Sequence, residues 1–422
     1  MRASIFVTAI VFVFLMASIS YATNGMNMIS YGGQESGMAG ASLGVSDNPM
    51  AMNNNPAGLT QIKDSELIVG ISLLMPNLKH MDSVSPLGSN DKNGENKVFP
   101  LPTLAYAKRI PNSKVVLGIG IFAQGGMGAD FKDLKTAFGT KDRTYTNVRY
   151  AKITPTIAYQ FTDRLSGGVA LNVGYSDVEM EFFPDTFFPG GDGIPPFAGM
   201  DLEDEYAFGY GAKIGLMYKI SENVNIGLVY TTRSELNYDN GKMEFRGPAP
   251  IGGKYDAEME GFTWPASLGA GIGIRPTERL LLAADITWVN WSDAIETVKI
   301  KTDSKVPGMR VIPFKMDWED QVVVAIGSAY KSSDNLTLRI GYNYGKNPVP
   351  AKTLSPLFPA IVEHHLTVGF GYKIGEKINL DGAWEHGFNK SVKYYNRDAP
   401  FGPGAKEEHY QNTVHLYLTY KF

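Results

Sequence analysis

Residues 181–197 read EFFPDTFFPGGDGIPPF. The chemistry such a stretch offers is desolvation, not bond-making. Phe182, Phe183, Phe187, Phe188 and Phe197 share it with Pro184, Pro189, Pro195 and Pro196. Each proline removes a backbone donor and fixes φ, and Gly190, Gly191 and Gly193 leave the rest loose. The composition predicts a surface loop that is neither strand nor helix. An apolar molecule settling on such a surface gains about 25 cal/mol per Å² removed from water. The alternative is a loop that folds back and seals a core.

Bond-making chemistry has few candidates. Cysteine is absent from the 422 residues, which excludes disulfide scaffolds, thiolate metal sites and cysteine nucleophiles. Six histidines are scattered without metal-ligand spacing. His364 and His365 are adjacent, so on a strand they point to opposite faces. Asp201, Glu203, Asp204 and Glu205 cluster where a strand should start. They read as a solvated edge, with a divalent-ion or lipopolysaccharide contact as the sharper alternative. Gly269 to Gly273 falls inside a strand pattern and not before a helix, so it is no phosphate loop. No Ser/His/Asp order or nucleophile elbow is present, and no enzyme, metal or cofactor is expected. A formal charge of −4 without a basic block argues against nucleic acid.

The elements that must position these residues begin with export. Arg2, the apolar run from Ile5 to Ile19, and Ser20-Tyr21-Ala22 form a secretory signal peptide, residues 1–22, cleaved after Ala22. The run is short for an uncleaved anchor helix. Beyond it, apolar residues alternate with period two. Val414, Leu416, Leu418, Tyr420 and Phe422 oppose Thr413, His415, Tyr417, Thr419 and Lys421. Leu366, Val368, Phe370, Tyr372 and Ile374 oppose His365, Thr367, Gly369, Gly371 and Lys373, and Val224, Ile226, Leu228 and Tyr230 repeat the pattern. Short polar turns alternate with long Gly/Pro/Asp-rich loops. The strands between them are expected at 66–79, 98–109, 114–124, 144–161, 164–183, 205–220, 224–238, 258–275, 278–301, 314–331, 336–345, 362–374, 378–395 and 408–422. Export, an even strand number, segregated loop lengths and an aromatic carboxy terminus together predict an all-β fold. It is a 14-stranded antiparallel transmembrane β-barrel, because lipid cannot satisfy an open sheet edge.

Residues 23–65 do not alternate. They are small, Gly-rich and Met-rich, with material for short helical turns near Ser46–Met52. A segment that cannot be wall is expected in the lumen as a hatch, leaving 66–422 as the barrel. The run SYGGQESGMAGASLGVSDNPMAMNNNPAGL resembles the N-terminal hatch of the FadL/TodX family of outer-membrane transporters for long-chain fatty acids and hydrophobic compounds. FPLPTLAYAKRI (99–110), GIGIFAQGGMGADF (118–131), GLVYTTRSEL (227–236), ADITWVNWSD (284–293) and YNYGKNPVP (342–350) extend the resemblance in order along the chain.

The resemblance implies passive uptake of hydrophobic small molecules across the outer membrane. Substrate would be captured by the loop carrying Phe182, Phe183, Phe187, Phe188 and Phe197 and by the next long loop, at 239–257. It would pass an apolar luminal pocket, and leave sideways at a kink in the third strand. Asn55, Pro56 and Ala57 match the family's hatch motif. Gly126 falls at the kink, and Gly215 matches a sixth-strand glycine that faces the gap. The head-group residues depart from the family: Phe182 stands where fatty-acid transporters carry an arginine, Gly345 replaces an aspartate, and Lys315 lies near the family's lysine. Carboxylate recognition is therefore open, and Arg149 or Lys152 could compensate, although period two does not say which faces inward. The partners implied are the hydrophobic substrate, outer-membrane lipid and lipopolysaccharide, and the barrel-assembly machinery during biogenesis. A polar-solute porin and an outer-membrane lipid-acting enzyme are the competing readings.

Overall fold

The computed structural model describes residues 24–191, 196–396, 400–402 and 404–422, without the side chain of Asp204. The signal peptide expected at residues 1–22, together with Gly193, Pro195 and the side chain of Asp204, lies outside the described residues. Fourteen antiparallel staves follow in chain order: β1 (Ser65–Asp82), β2 (Phe99–Arg109), β3 (Val115–Lys135), β4 (Lys141–Gln160), β5 (Leu165–Phe188), β6 (Phe197–Ser221), β7 (Val224–Thr231 and Ser234–Phe245), β8 (Gly253–Trp264 and Ser267–Thr277), β9 (Leu280–Val289 and Thr297–Thr302), β10 (Val311–Lys315 and Gln321–Lys331), β11 (Leu336–Gly345), β12 (His364–Ile374), β13 (Ile378–Tyr394) and β14 (Ala405–Lys421). Each pairs with its neighbours. β1 closes on β14 from Glu66↔Lys421 to Met81↔Lys406.

The alternation now has two addresses. Leu416, Leu418, Val368, Phe370, Leu228 and Ile286 are exposed on the outer surface, while Thr413, His415, Thr367 and His365 are buried on the inner one. An apolar exterior on a closed sheet suits hydrocarbon, and pairing of β1 with β14 removes the edges that the two end strands would otherwise present. Among the described residues no helix is long and apolar enough to cross a membrane. The chain is a transmembrane β-barrel.

Several strands outrun their expected ends on the long-loop side. The third was expected to stop at 124, but β3 continues to Lys135 and the loop shrinks to 136–140. The aromatic stretch is not a loop up to Phe188. β5 runs through it and β6 begins at Phe197. The β5–β6 register slips between Phe182 and Phe187, so Pro184 sits where the ladder is already interrupted, and Phe183 takes φ +50° there. The expected 239–257 loop is likewise mostly β7 and β8, with only 246–252 between them. Conversely, β7, β8, β9 and β10 are each broken once. Pro265 lies in one break, and the helical turn Trp291–Ala294, capped by the Asn290 side chain, lies in another.

Residues 24–62 lie inside the cylinder. Their bonds reach staves all around it. Asn55 Nδ2 donates to the Leu216 carbonyl of β6 at 3.1 Å. Asp285 Oδ2 of β9 accepts the Ser42 and Leu43 N–H groups at 2.7 and 2.9 Å. Asn343 of β11 donates to Ala39 and Thr367 of β12 to Gly37, each at 3.1 Å. Arg109 of β2 donates to the Thr60 and Ile62 carbonyls. The segment has almost no regular structure to satisfy its own backbone, so the wall's inward polar side chains do so. Its short turns are α1 (Gly33–Gly37) and the 3₁₀ turns Pro49–Met52 and Pro56–Gln61.

Candidate functional site

Two cavities and a break in the wall carry the geometry. The first cavity, about 620 Å³, lies at the long-loop end. Phe138, Phe182, Phe188, Phe197, Phe314 and Phe358 line it, together with Lys315. Phe138 stacks on Phe188 and Phe197 with ring centroids 5.4 and 4.5 Å apart. Of the residues singled out from the sequence, Phe182, Phe188, Phe197 and Lys315 line this one cavity. Phe183 departs from it: fully buried, it packs on Phe182 and Phe401 instead of lining the cavity. Phe187 turns toward the 246–252 connection, beside Gly247. Phe138 and Phe314 were missed. An aromatic alone in a polar run such as TAFGTK gives no periodic signal. Lys315 Nζ lies 3.5 Å from Asp317, whose carboxylate also pairs with Lys352 at 2.7 Å.

The wall break lies between β2 and β3. Their ladder runs from Arg109↔Val116 to Thr103↔Phe122 and stops. Above it β3 kinks through Gly125 and Gly126, at φ +147° and +158°, with a register shift between Ala123 and Gly125 against β4. Glycine reaches these angles at little cost. The freed edge is not bare. Asn27 pairs with Gly125, Gly126 donates to the Met26 carbonyl at 3.1 Å, and Met28 donates to Gln124 at 3.5 Å. Trp264 donates to Asn27 Oδ1 at 2.8 Å and stacks on Tyr150. The chain's own leading residues therefore substitute for the missing β2 partner.

Gly215 is not at this break. A Cβ there would lie 2.1 Å from Asn55 Oδ1 and 2.7 Å from Pro56 Cδ, so the glycine admits the Asn55-Pro56-Ala57 corner. Asn55 is fully buried. Its amide also donates to the Leu43 carbonyl at 2.8 Å and accepts from the Ala57 N–H at 3.2 Å. Pro56 opens the turn that Asn55 caps.

The second cavity, about 180 Å³, lies between the leading segment and the wall. Asn24, Asn27, Gln124, Tyr150, Lys152 and Lys213 are among its lining residues. The orientation left open by period two is resolved: Lys152 faces this cavity, while Arg149 pairs with Asp177 at 2.5 Å. The acidic cluster does not read uniformly as a solvated edge. Glu203 is exposed and pairs with Lys254, but Glu205 is buried. Ser36 and Ser72 lie 3.2 and 2.8 Å from His415 Nδ1, and His415 Nε2 lies 3.4 Å from Glu385. This Ser–His–Glu set was not visible in the sequence. All four side chains are buried in the lumen, so they bridge segment and wall instead of meeting lipid. Glu35, also in the segment, accepts from Asn48 at 2.8 Å, and burial pushes its carboxyl up to about 7.

The comparisons with known proteins agree with this architecture. The family described as outer membrane protein transport protein (OMPP1/FadL/TodX) matches residues 13–420. A 47 kDa outer membrane protein of Pasteurella multocida is 23% identical over 405 residues, covering 90% of this chain and 89% of that protein. A long-chain fatty acid transport protein of Escherichia coli O157:H7 is 21% identical over 391 residues, covering 83% and 84%. Among solved structures, a Pseudomonas aeruginosa FadL homologue superposes with a TM-score of 0.78 at 17% identity, covering 94% of this chain and 100% of that one. The toluene transporter TodX of P. putida superposes at 0.75 with 20% identity, covering 93% and 99%.

Proposed function

The chain belongs to the OMPP1/FadL/TodX family of outer-membrane transporters of hydrophobic compounds, and from that premise we propose that it is a passive channel with a lateral exit. Substrate enters the aromatic cavity at the extracellular end. A ligand burying about 200 Å² of apolar surface there gains roughly 5 kcal/mol before association costs, which favours loose capture and ready release. It then passes to the luminal cavity, and displacement of residues 24–28 opens the edge of β3 toward the bilayer. One observation supports the reading: the β2–β3 ladder stops at Phe122, and the β3 edge just above it is covered by residues 26–28 of the same chain. A continuously hydrogen-bonded wall would give an apolar molecule no route to lipid, whereas the pairing of residues 26–28 with β3 rests on two backbone hydrogen bonds.

Relatives carry names that specify long-chain fatty acids or toluene. The test is entry of labelled oleate and labelled toluene into cells lacking the protein, with and without complementation. Faster entry of either on complementation is expected. Equal entry of both would defeat the proposal. A polar-solute porin would instead show steady ion conductance in planar bilayers.

A further inference from the structure

Two neighbouring staves are broken, and each break places a tryptophan against the seal. Trp264 ends the first half of β8, one residue before Pro265, and Trp291 stands on the helical turn within β9. Trp291 is fully buried and so close to Gly25 that a Cβ there would fall 2.5 Å from its Cζ2. Trp264 closes a ring of contacts. Its indole N–H donates to Asn27 Oδ1 at 2.8 Å, Asn27 bridges Gly125, Gly125 pairs with Tyr150 across β3 and β4, and Tyr150 stacks on Trp264 with centroids 4.4 Å apart. The indole thus gives the seal a polar contact besides its two backbone hydrogen bonds to β3. The same ring has a second neighbour. Trp264, Tyr150, Asn27 and Gln124 all line the luminal cavity. At about 180 Å³ that cavity is smaller than the roughly 300–1,000 Å³ usual for small-molecule pockets. An apolar molecule passing through it must push a lining ring aside. Trp264 has the freedom to yield: its ladder with β7 ends at Trp264↔Ser234, and Pro265 beyond has no N–H to pair.

We propose that Trp264 is the positioning residue of the seal and couples it to the luminal cavity: an apolar occupant displaces the ring, the indole–Asn27 bond breaks, and residues 24–28 are freed. The coupling rests on the transport reading and supplies the trigger for opening. That trigger is contact with apolar surface, not recognition of a head group.

The full chain in lipid nanodiscs is followed by hydrogen exchange at amides 24–28 and 124–126. Trp264→Phe keeps a ring to stack on Tyr150 but removes the donor, and Asn27→Leu removes the acceptor. Each should speed exchange about 2- to 10-fold, the range for one neutral hydrogen bond, and the double variant should be no faster than either single one. Saturating toluene should speed exchange in wild type and add little in Trp264→Phe. Heat-modifiable gel mobility identifies folded variants, and if Trp264→Phe does not fold, Asn27→Leu takes its place in both arms. Unchanged exchange in the single variants, or additive effects in the double one, would overturn the positioning role. Toluene that speeds exchange equally in wild type and variant, or in neither, would overturn the coupling. Exchange without toluene does not depend on transport. If it responds as expected while complemented and uncomplemented cells take up substrate equally, the transport reading fails and the positioning role stands; if it does not respond while complementation speeds entry, the reverse holds.

Discussion

Asn55→Ala should loosen the luminal segment without touching the wall. The side chain makes three hydrogen bonds in a fully buried setting: two donated, to Leu43 and Leu216, and one accepted from Ala57. At about 1 kcal/mol each, their loss costs roughly 3 kcal/mol, and the orphaned Leu43 and Leu216 carbonyls add to it. With tenfold per 1.4 kcal/mol, the displaced population of the Pro56–Gln61 turn should rise by about a hundredfold. Hydrogen exchange of amides 49–62, followed by mass spectrometry, reads that shift directly, and planar bilayers should register opening events rare in wild type. Gly215→Ala attacks the same corner from the wall, where its Cβ would stand 2.1 Å from Asn55 Oδ1. It should move exchange in the same direction. Unchanged exchange in both variants would refute the idea that this corner anchors the segment.

Three further outcomes are expected. Glu35 has its carboxyl raised by burial from 4.5 to about 7. A raised acid opposes folding once ionised, so stability should fall as pH rises from about 4.5 to 7 and level off above. Glu35→Gln should flatten that slope in urea titrations of the detergent-solubilised barrel, and an identical slope would contradict the assignment. Phe197→Ala removes a ring stacked 4.5 Å from Phe138. It should slow uptake at low substrate concentration more than at saturation, as measured by initial rates of labelled-substrate entry. Asp285→Asn keeps an acceptor for Ser42 and Leu43 but removes its charge. It should preserve heat-modifiable mobility, whereas Asp285→Ala should lower the temperature of that transition by several degrees.

The barrel was legible because its signal is redundant. Period two in Val414 to Phe422 states both the strand and its outward face, and closure follows from the need to leave no edge in lipid. The luminal expectation for 23–65 rested on what that segment could not be, and the structure draws its last residue, Ser65, into β1. Strand ends were less legible. Composition at 181–197 argued for a loop, but a register slip lets Pro184 sit in β5 without losing a ladder bond. Gly215 was matched to the gap by position, yet it is the partner of Asn55, because a glycine serves close approach as readily as a kink. Lys152 was a candidate whose facing could not be decided. Which side of a strand is the lumen depends on register set by neighbours far along the chain. Phe138 and the Ser36–His415–Glu385 set needed three-dimensional proximity that no local spacing encodes.

The central claim is that residues 24–28 are the removable seal of the β2–β3 break. Asn27 and Gly125 face each other as bridge partners, so Asn27→Cys with Gly125→Cys, in a chain that otherwise lacks cysteine, should form a disulfide that locks the seal. Uptake of labelled hydrophobic substrate by cells carrying this pair should fall to the level of cells without the protein when oxidised and recover on reduction. Uptake that is the same in the oxidised and reduced states, with cross-linking verified on the same cells, would contradict the account.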